Sequence, residues 1–510
     1  MKYVCIDPTM FVYPDIAEYA GSSDSISVLT PRGSYACAQI LFTDVSGDAL
    51  SVDTEGISAE LYEMVPVHVE RNEGLDENNA RPHQPERKAP FDVYDCLKPV
   101  KNGTLSAKNG VCGLYLAVKI ERDVQPGVIS GSVRAGGISV PVTVEISPVT
   151  VPEESLVMIL GYSRGKVCSY HHVEENSPEF ERLDTAYLKM LRRTHQNMLY
   201  CPKPRSIPLG ENRWEFDFSG MERFMTKAIS LGFTRFNFGL GFRQSWSKST
   251  ILVNEMPSMS FECYCYLAQL LPRLVGFLRE HDWLDRLILG IADEPNNANA
   301  TEYRALCSLV RKFAPELRLM DAMSFGPVHG AVDIWIPLNA EYQTHRTEIE
   351  TFRTYGDEIW FYDCCTPRGG DYINRFLDYP LLATRYHFWA GYLYHLTGYL
   401  HWAANNYMPG QDPFVQSCPE HHNADSMCYL PAGDTHIMYP GDGEPWMSVR
   451  LENQRASAEE YELLCLLAEK DQEKADTICR SVCRSFSDVT YDPTAFRSAR
   501  NALIRALEDR

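Results

Sequence analysis

The first third of the chain alternates apolar and polar residues with a period of two. Segments such as SYACAQILF, LYLAVKIERD and ISVPVTVEISPVTV are rich in β-branched residues, and Gly-rich or Pro-rich turns separate them. Few stretches in this part have the spacing of a helix. The pattern therefore predicts a β-sandwich domain over residues 1–152, in which two sheets pack face to face. A polar stretch over 72–90 predicts a long exposed loop within this domain.

From residue 153 the pattern changes to short apolar strands that alternate with helical segments. One helix has Ser177 as its N-cap and Pro178 at its first position, and others carry apolar stripes at helical spacing. Eight strands alternating with helices over roughly 250 residues match the size of a (β/α)8 TIM-like barrel. We therefore predict a catalytic barrel over 153–455. The predicted strands are 156–160, 196–200, 234–238, 287–291, 317–320, 332–336, 358–362 and 398–402.

The rival architecture for this region is a doubly wound open sheet. It needs no eighth strand, and no G-x-G-x-x-G motif follows any predicted strand. The last part of the chain, 456–510, predicts helices packed on the outside of the barrel. The predicted fold class is thus multidomain, with an N-terminal β-sandwich followed by a (β/α)8 TIM-like barrel with C-terminal helices.

Charge and composition narrow the classes of partner. Lys and Arg number 48 and Asp and Glu 68, which gives a formal net charge of −20. This charge argues against nucleic acid, whose phosphates need a basic face, and against a polybasic membrane-surface protein. No signal peptide is predicted, and no apolar run is long enough to insert into a membrane. Sixteen scattered Cys without a secretion signal favour free thiols, so we expect a cytoplasmic protein.

The strongest candidate for chemistry is a pair of adjacent carboxylates. In a barrel the active site lies at the C-terminal ends of the strands, and Asp293 and Glu294 follow the fourth predicted strand, directly before Pro295. Elsewhere such a pair is most often the start of a solvated loop, but a strand end faces the pocket. Like charges this close push one pKa up and leave an acid beside a carboxylate. We predict that Asp293 and Glu294 are catalytic, as a general acid requires such an arrangement.

Other strand ends supply aromatic rings and amides. Rings can stack on the apolar face of a pyranose, and amides can bind its hydroxyl groups. A single ring is more often a core or rim residue, but the set together predicts a pocket for a neutral polyol. No phosphate-binding loop and no Lys or Arg cluster occurs at these strand ends. The predicted substrate-binding residues are Trp335, Tyr342, Tyr362, Trp402 and Asn405.

Two other motifs have weaker support. The segment GYSRG matches the G-x-S-x-G nucleophile elbow of serine hydrolases, but a polar loop rather than a helix is expected after Ser163. A tetrahedral zinc site could be built from Cys418, His421, Cys428 and His436. Their spacing is loose, so a plain surface loop is the better interpretation, and no metal is expected.

The order of motifs in the second half of the chain resembles a known family. After Asp293-Glu294-Pro295 come IWFYDCCTPRG, then FLDYPLLATRYHFWAGYLYHLTGYLHWAANNYM, then YPGDGEPWMSVRLENQRASAEEYELL. In this order they resemble the glycoside hydrolase family 123 / DUF4091 group. The N-terminal segment VQPGVISGSVRAGGISVPVTVEISPVTVPEE resembles the β-sandwich of that group, so the resemblance covers most of the chain.

The resemblance implies a β-N-acetylgalactosaminidase that removes terminal β-linked N-acetylgalactosamine from a glycan or glycoconjugate. It implies a retaining mechanism in which the substrate's own 2-acetamido group attacks C1 and forms an oxazolinium. By position, Glu294 would be the acid/base and would begin protonated. Asp293 would stay ionised and orient the acetamido group. No cofactor is implied.

Other functions stay open at this point. One is another exo-glycosidase, either a β-N-acetylglucosaminidase or an enzyme for a non-acetamido sugar. A second is a non-catalytic sugar-binding barrel, although the intact Asp293-Glu294 pair argues against a decayed site.

Overall fold

The computed structural model describes residues 1–74, 87–245, 247–323, 326–422 and 427–508. Most of the loop predicted over 72–90 therefore lies outside the described residues. No helix within these ranges is both long and apolar enough to cross a membrane.

The N-terminal strands form two sheets that share one apolar core. One sheet has seven strands and the other has five. Ile40 and Leu114 from the larger sheet and Val52 and Val142 from the smaller sheet are buried in the same cluster, because every second side chain of these strands points inward. The strands are Lys2–Ile6, Ile26–Arg32, Ser34–Thr43, Ala49–Glu55, Glu60–Val69, Phe91–Pro99, Thr104–Ser106, Cys112–Ile120, Gly127–Ala135 and Ile138–Thr150.

Two strands of the larger sheet come from far along the chain. Pro445–Ser448 pairs antiparallel with Phe91–Pro99, and Tyr439–Pro440 pairs with Pro445–Ser448 in turn. The larger sheet is therefore not confined to the residues 1–152 that the sequence assigns to the first domain. Strands of two and four residues are too short to show a period of two, which is why the pattern does not reveal them.

Each of the eight strands predicted after residue 153 is present in the structure, and neighbouring strands pair in parallel. They form a curled sheet in two hydrogen-bonded pieces of six and three strands, and the seventh predicted strand is divided between the two pieces. Their bounds are Val157–Leu160, Met198–Tyr200, Arg235–Gly239, Leu287–Gly290, Arg318–Met323, Ile334–Pro337, Glu358–Ile359 with Phe361–Tyr362, and Gly398–His401.

The concave side of the curled sheet carries a separate apolar cluster. Seven of the eight predicted strands contribute to it, with side chains such as Ile159, Ile288, Ile336 and Leu400. The opposite side chains of the same strands join the main core, where the helices pack. Strands buried on both faces explain why the sequence shows continuous apolar runs here rather than alternation.

Helices separate most of the parallel strands. Ser177 caps one of them as predicted, with its Oγ accepting the N–H of Phe180 at 3.1 Å. Short hairpins and ribbons lie outside the main sheets: Arg205–Gly210 with Arg213–Asp217, Gly241–Arg243 with Ile251–Val253 and Met256–Pro257, and Glu420–His422 with Met427–Tyr429. The helices are Arg164–His171, Pro178–Arg193, Ser219–Ser230, Phe261–Glu280, Ala300–Phe313, Asn339–Thr344, Arg346–Thr354, Leu381–Arg385, His387–Leu393, Val449–Lys470, Gln472–Arg480 and Pro493–Glu508.

The helix Val449–Lys470, called here the central helix, differs most from the sequence prediction. Every residue from 449 to 464 is buried, whereas the sequence predicts helices on the outside of the barrel from residue 456. The boundary predicted between 455 and 456 falls inside this helix. It packs against Phe91–Pro99 of the larger N-terminal sheet on one side and His387–Leu393 on the other.

Charged side chains of the central helix are paired inside the protein. Arg455 contacts Glu452 at 3.0 Å and Glu459 at 2.6 Å, and Arg193 reaches Glu452 from a neighbouring helix at 3.3 Å. Arg193 also pairs with Glu60 of the N-terminal sheet at 2.6 Å. Because a buried charge that loses its partner is strongly destabilising, this network fixes how the two parts of the molecule pack.

His195 belongs to the same network. Its Nδ1 lies 2.9 Å from Glu154 and its Nε2 lies 3.1 Å from Glu459. Burial alone would lower the pKa of His195, but the hydrogen bonds and charges of the two glutamates outweigh burial and raise that pKa to about 9. His195 is therefore a cation at neutral pH.

We expect the stabilising effect of the His195 cation to disappear at alkaline pH. A histidine whose pKa rises on folding stabilises the protein fully below its unfolded pKa of about 6.5. That stabilisation is lost as the pH rises through the folded pKa of about 9. The measurement is Tm against pH for the wild type and for His195→Asn, since Asn tolerates the φ of +66° at this position.

The difference in Tm between the two proteins should be largest near pH 6 and should shrink steadily up to about pH 10. A difference that is constant over this range would show that His195 acts by packing alone.

Candidate active site

A cavity of about 430 Å³ opens at the C-terminal ends of the parallel strands. This volume is in the range of pockets that bind small molecules. Aromatic, amide and acidic side chains at its wall come from strands far apart in sequence. They include Tyr200, Asn237, Asp293, Asp321, Trp402 and Asn406.

Asp293 lines this cavity, and both Asp293 and the following Glu294 have an uncommon backbone conformation. Their φ angles are +57° and +42°, in the left-handed region that residues other than glycine rarely adopt. The turn directs the Asp293 side chain into the open cavity, where it is 68% exposed, and leaves Glu294 only 16% exposed. Backbone strain at two successive carboxylates is typical of a functional site.

Asp321 stabilises this strained turn from the neighbouring strand Arg318–Met323. Its carboxylate accepts the backbone N–H groups of Ile291 at 3.3 Å, Ala292 at 2.8 Å and Asp293 at 3.1 Å. The hydroxyl of Tyr303 donates a fourth hydrogen bond at 2.9 Å. The chain therefore leaves the fourth strand in a direction that Asp321 fixes.

Arg243 holds the two carboxylates together. Its Nη2 lies 3.2 Å from Asp293 Oδ2 and 3.2 Å from Glu294 Oε2. Its Nη1 donates to the backbone carbonyl groups of the same two residues. The guanidinium offsets part of the repulsion between two adjacent negative charges.

Tyr362 contacts the other oxygen of Glu294. Its hydroxyl donates to Glu294 Oε1 at 2.5 Å. Burial, and then the charge of Glu294, raise the pKa of Tyr362 well above its ordinary value, so the phenol keeps its proton. Glu294 is thus fixed on both oxygens, by a phenol and by a guanidinium.

The pKa of Asp293 differs from what the sequence prediction requires. Desolvation by the surrounding protein atoms, and then the charges of Glu294 and Asp321, raise the pKa of Asp293 to about 7, while Arg243 opposes the rise. A pKa of about 7 leaves the Asp293 carboxyl partly protonated at neutral pH, whereas the prediction has it ionised.

One of the predicted substrate-binding residues, Trp402, is a half-buried part of the cavity wall. The buried Tyr362 ring lies in the concave cluster and reaches Glu294. Asn405 is buried, and its side chain bonds the backbone N–H of Ser163 at 2.8 Å and the carbonyl of Ser163 at 3.1 Å. The neighbouring Asn406 lines the cavity in its place.

Trp335 and Tyr342 lie away from the cavity, which contradicts their predicted role. Ile334 and Ile336 occupy the concave side of the sixth strand, so Trp335 between them points to the helical side. There its Nε1 donates to Asp357 at 3.0 Å. Tyr342 is buried in the helix Asn339–Thr344 and donates to Glu350 at 2.7 Å.

Sequence reasoning missed Arg243 and Asp321. Arg243 lies on a three-residue strand after the third parallel strand, and the segment has no motif that marks it. Asp321 was detectable in principle, because it is the one acidic residue within the otherwise apolar run LMDAM that follows Arg318. A buried acid in a parallel strand needs hydrogen-bond donors, and the turn of the next strand supplies them.

The structure differs from the sequence prediction at the G-x-S-x-G segment around Ser163. A helix, Arg164–His171, does follow Ser163, so the polar loop expected there is wrong. This helix buries only Val167 and has no apolar stripe to reveal it. The Ser163 Oγ accepts the N–H of Lys166 at 3.3 Å as an N-cap, and among the described residues no histidine hydrogen-bonds to it.

The residues proposed for zinc do not assemble into a site. His421 and Cys428 face each other in the hairpin of Glu420–His422 and Met427–Tyr429, while Cys418 donates to the Arg71 carbonyl at 3.4 Å. No group of three or more His, Cys, Asp or Glu side chains in the described ranges could hold a metal ion.

Comparison with known proteins places the chain in a family. The model of the catalytic domain of glycoside hydrolase 123 matches residues 165–467, more than half of the chain. The chain belongs to glycoside hydrolase family 123. The match includes most of the cavity wall, both strained carboxylates, Arg243 and Tyr362, as well as most of the central helix.

A solved structure of the same family shares the fold of this chain. A family 123 glycoside hydrolase from Clostridium perfringens, described as hydrolysing glycolipid glycans, has a TM-score of 0.75 and 13% identity, over 99% of this chain and 97% of that chain. A family 39 glycoside hydrolase from Bacteroides cellulosilyticus has a TM-score of 0.38 and 10% identity, over 86% and 82%. No curated protein matches the chain.

We expect the Tyr362 hydroxyl to matter for turnover in this family 123 enzyme. Tyr362→Phe removes a charge-assisted hydrogen bond to Glu294, worth about 1.5–3 kcal/mol, so kcat should fall by roughly 10- to 100-fold. The measurement is steady-state hydrolysis of an aryl glycoside substrate.

Tyr342→Phe is the matched control for this variant. It removes a hydroxyl with the same kind of partner, Glu350, outside the cavity, so kcat should stay within about twofold of the wild type. Equal losses in both variants would mean that the tyrosines act through stability, and Tm reports this directly.

Proposed function

We propose that this enzyme releases terminal β-linked N-acetylgalactosamine by a retaining, substrate-assisted mechanism through an oxazolinium. Glu294 is the acid/base at the glycosidic oxygen, and Asp293 orients the 2-acetamido group. Tyr362 and Trp402 contribute to the sugar site. The main support for the proposal is that the cavity wall, among the residues that the structure describes, has no independent nucleophile.

A retaining glycosidase of the ordinary kind needs a second carboxylate about 5–5.5 Å from its acid. Besides the Asp293-Glu294 pair, the acidic side chain at the described cavity wall is Asp321. Its oxygens already accept three backbone N–H groups and the Tyr303 hydroxyl, so it serves the turn rather than the substrate. A nucleophile supplied by the substrate itself removes the need for another carboxylate.

The raised pKa of Asp293 fits this mechanism once substrate contacts are added. A hydrogen bond from the substrate's acetamido N–H would stabilise the Asp293 carboxylate and so lower the pKa of Asp293. The proton would then pass to Glu294, which needs it to protonate the leaving oxygen. Asp293, now ionised, would balance the positive charge that develops on the oxazolinium.

The galacto configuration and the 2-acetamido group rest on family resemblance. The motifs around Asp293-Glu294 and in the last 150 residues run in the order typical of family 123. The Clostridium perfringens relative is described as acting on glycolipid glycans, which supports a glycoconjugate as the class of substrate.

The same proposal includes closure of the curled sheet as a (β/α)8 barrel above an N-terminal β-sandwich. Side-chain amides support closure between the first and second parallel strands. Asn197 Oδ1 accepts the N–H of Met158 at 3.0 Å, and Gln196 Nε2 donates to the Leu160 carbonyl at 3.1 Å. The shared cluster of the two N-terminal sheets supports the sandwich.

The loss of activity caused by Glu294→Gln should depend on the leaving group of the substrate. General acid catalysis is worth about 10²–10⁴-fold, so hydrolysis of glycosides with poor leaving groups should fall by that factor. Activated aryl glycosides need little protonation and should lose much less. The measurement is kcat/KM across a series of aryl glycosides of increasing leaving-group pKa.

Glu341→Gln, on the helix Asn339–Thr344 outside the cavity, is the control and should leave the slope of that series unchanged. An equal loss on every substrate of the Glu294→Gln series would assign Glu294 a structural role.

The substrate's acetamido group should be indispensable. A thiazoline mimic of the oxazolinium in the galacto configuration should inhibit competitively and far more tightly than N-acetylgalactosamine, as ligands resembling the transition state do. Replacing the 2-acetamido group by a hydroxyl should abolish turnover. Asp293→Asn should lower kcat, because an amide cannot balance the developing positive charge.

Aryl glycosides that differ only at C2 and C4 identify the sugar, since a β-N-acetylglucosaminidase would prefer the equatorial 4-hydroxyl. Intact-protein mass spectrometry with a slow 2-fluoro sugar completes the test. A stable covalent adduct on a carboxylate, together with no thiazoline inhibition, would rule out the substrate-assisted mechanism.

A further inference from the structure

The indole of Trp402 is held from behind by a buried carboxyl group. Trp402 is a half-buried part of the cavity wall, and its Nε1 donates to Asp434 Oδ2 at 3.1 Å. Asp434 itself is fully buried and is not part of the cavity wall. The hydrogen bond therefore runs from the ring that faces the cavity to a group beneath it.

The backbone around Asp434 is fixed by the central helix. Arg450 donates to the carbonyl groups of Gly433 at 2.9 Å and of His436 at 3.0 Å, one on each side of Asp434. Gly433 has a φ of +77°, and a Cβ there would lie 2.7 Å from Arg450 Nη1, so no larger residue fits. Arg450 in turn pairs with Asp95 of the N-terminal sheet at 2.9 Å.

His401 lies on the other side of Asp434. Its Nδ1 accepts the N–H of Ala403 at 3.1 Å, so the neutral ring carries its proton on Nε2, which lies 3.4 Å from Asp434 Oδ1. Burial lowers the pKa of His401 well below its ordinary value and keeps the ring neutral. The indole N–H donates to Oδ2 of Asp434, whereas Oδ1 makes no hydrogen bond with the imidazole 3.4 Å away.

Satisfying the indole N–H alone would not require a buried carboxyl group. The edge of a half-buried tryptophan can reach water, and a buried carboxyl group is costly to desolvate. What the buried acid adds is orientation, because an acceptor with a fixed backbone defines the plane of the ring.

We propose that Asp434 is a positioning residue that fixes the plane of the Trp402 indole as a platform for the apolar face of the substrate's pyranose ring. The inference rests on the proposed function for the identity of the sugar, but it requires only a pyranose. It predicts that Asp434 acts on substrate binding entirely through Trp402.

A double-mutant cycle tests this dependence. Asp434→Ala should raise KM by about 5- to 10-fold, the scale of an aromatic stacking contact, with kcat within about twofold. Trp402→Phe, which has no indole N–H, should raise KM similarly. Asp434→Ala in the Trp402→Phe background should then add less than about twofold. Asp434→Asn, which keeps an acceptor oxygen, should restore KM to within about twofold of the wild type.

The kinetics should be run at pH 8, because burial raises the pKa of Asp434 to about 7. The matched control is Asp357→Ala, which removes the carboxylate from another tryptophan, Trp335 Nε1 at 3.0 Å, outside the cavity. It should leave KM unchanged. If Asp434→Ala does not fold, Asp434→Ser completes the cycle, since its hydroxyl is too short to reach the indole.

Additive effects of the Asp434 and Trp402 substitutions on KM would overturn the proposal, and so would a loss confined to kcat. Failure of the proposed function is a separate result. If the wild type does not hydrolyse an aryl N-acetylgalactosaminide, the cycle is run on whichever aryl glycoside of the C2 and C4 panel it does hydrolyse.

Discussion

Pairing of buried charges along the central helix determines how the rest of the molecule packs. An arginine or glutamate that is removed from water must find its partner, and here the partners lie in different parts of the chain. Arg193 connects Glu452 to Glu60 of the N-terminal sheet, and Arg450 connects Asp95 to the loop beneath Trp402. The central helix is therefore a hub on which the sheets and the cavity wall are placed.

In the active site, too, closely spaced charges are paired with partners from other parts of the chain. Asp293 and Glu294 are adjacent like charges in a strained turn. Other side chains stabilise both the turn and the two charges. Asp321 accepts the N–H groups of the turn, Arg243 lies between the two carboxylates, and Tyr362 binds Glu294. The arrangement holds both carboxylates against one guanidinium, which a relaxed turn with diverging side chains would not achieve.

Local sequence patterns predict much of the fold. The other features depend on contacts between residues far apart in sequence, which no local pattern shows. The eight parallel strands were predicted because apolar runs bounded by turns are a local signal, and the Asp293-Glu294 pair was predicted from its place after one of them. Trp335 was assigned to the wrong face because one position along a strand reverses the side of the sheet. The central helix was misplaced because its charged residues are typical of an exposed helix, and only their distant partners explain their burial. Arg243 was missed for the same reason, whereas Asp321 had a local signal as the one acid in an apolar strand.

The late strand of the N-terminal sheet has a consequence for biosynthesis. Phe91–Pro99 leaves the ribosome roughly 350 residues before its neighbour Pro445–Ser448, a delay of about 20–70 s at typical rates of translation. During that time this strand has an unpaired edge that can bind to other nascent chains. We therefore expect the N-terminal sheets to depend on chaperones until the chain is nearly complete, and a fragment ending before residue 445 to aggregate even where its own core is intact.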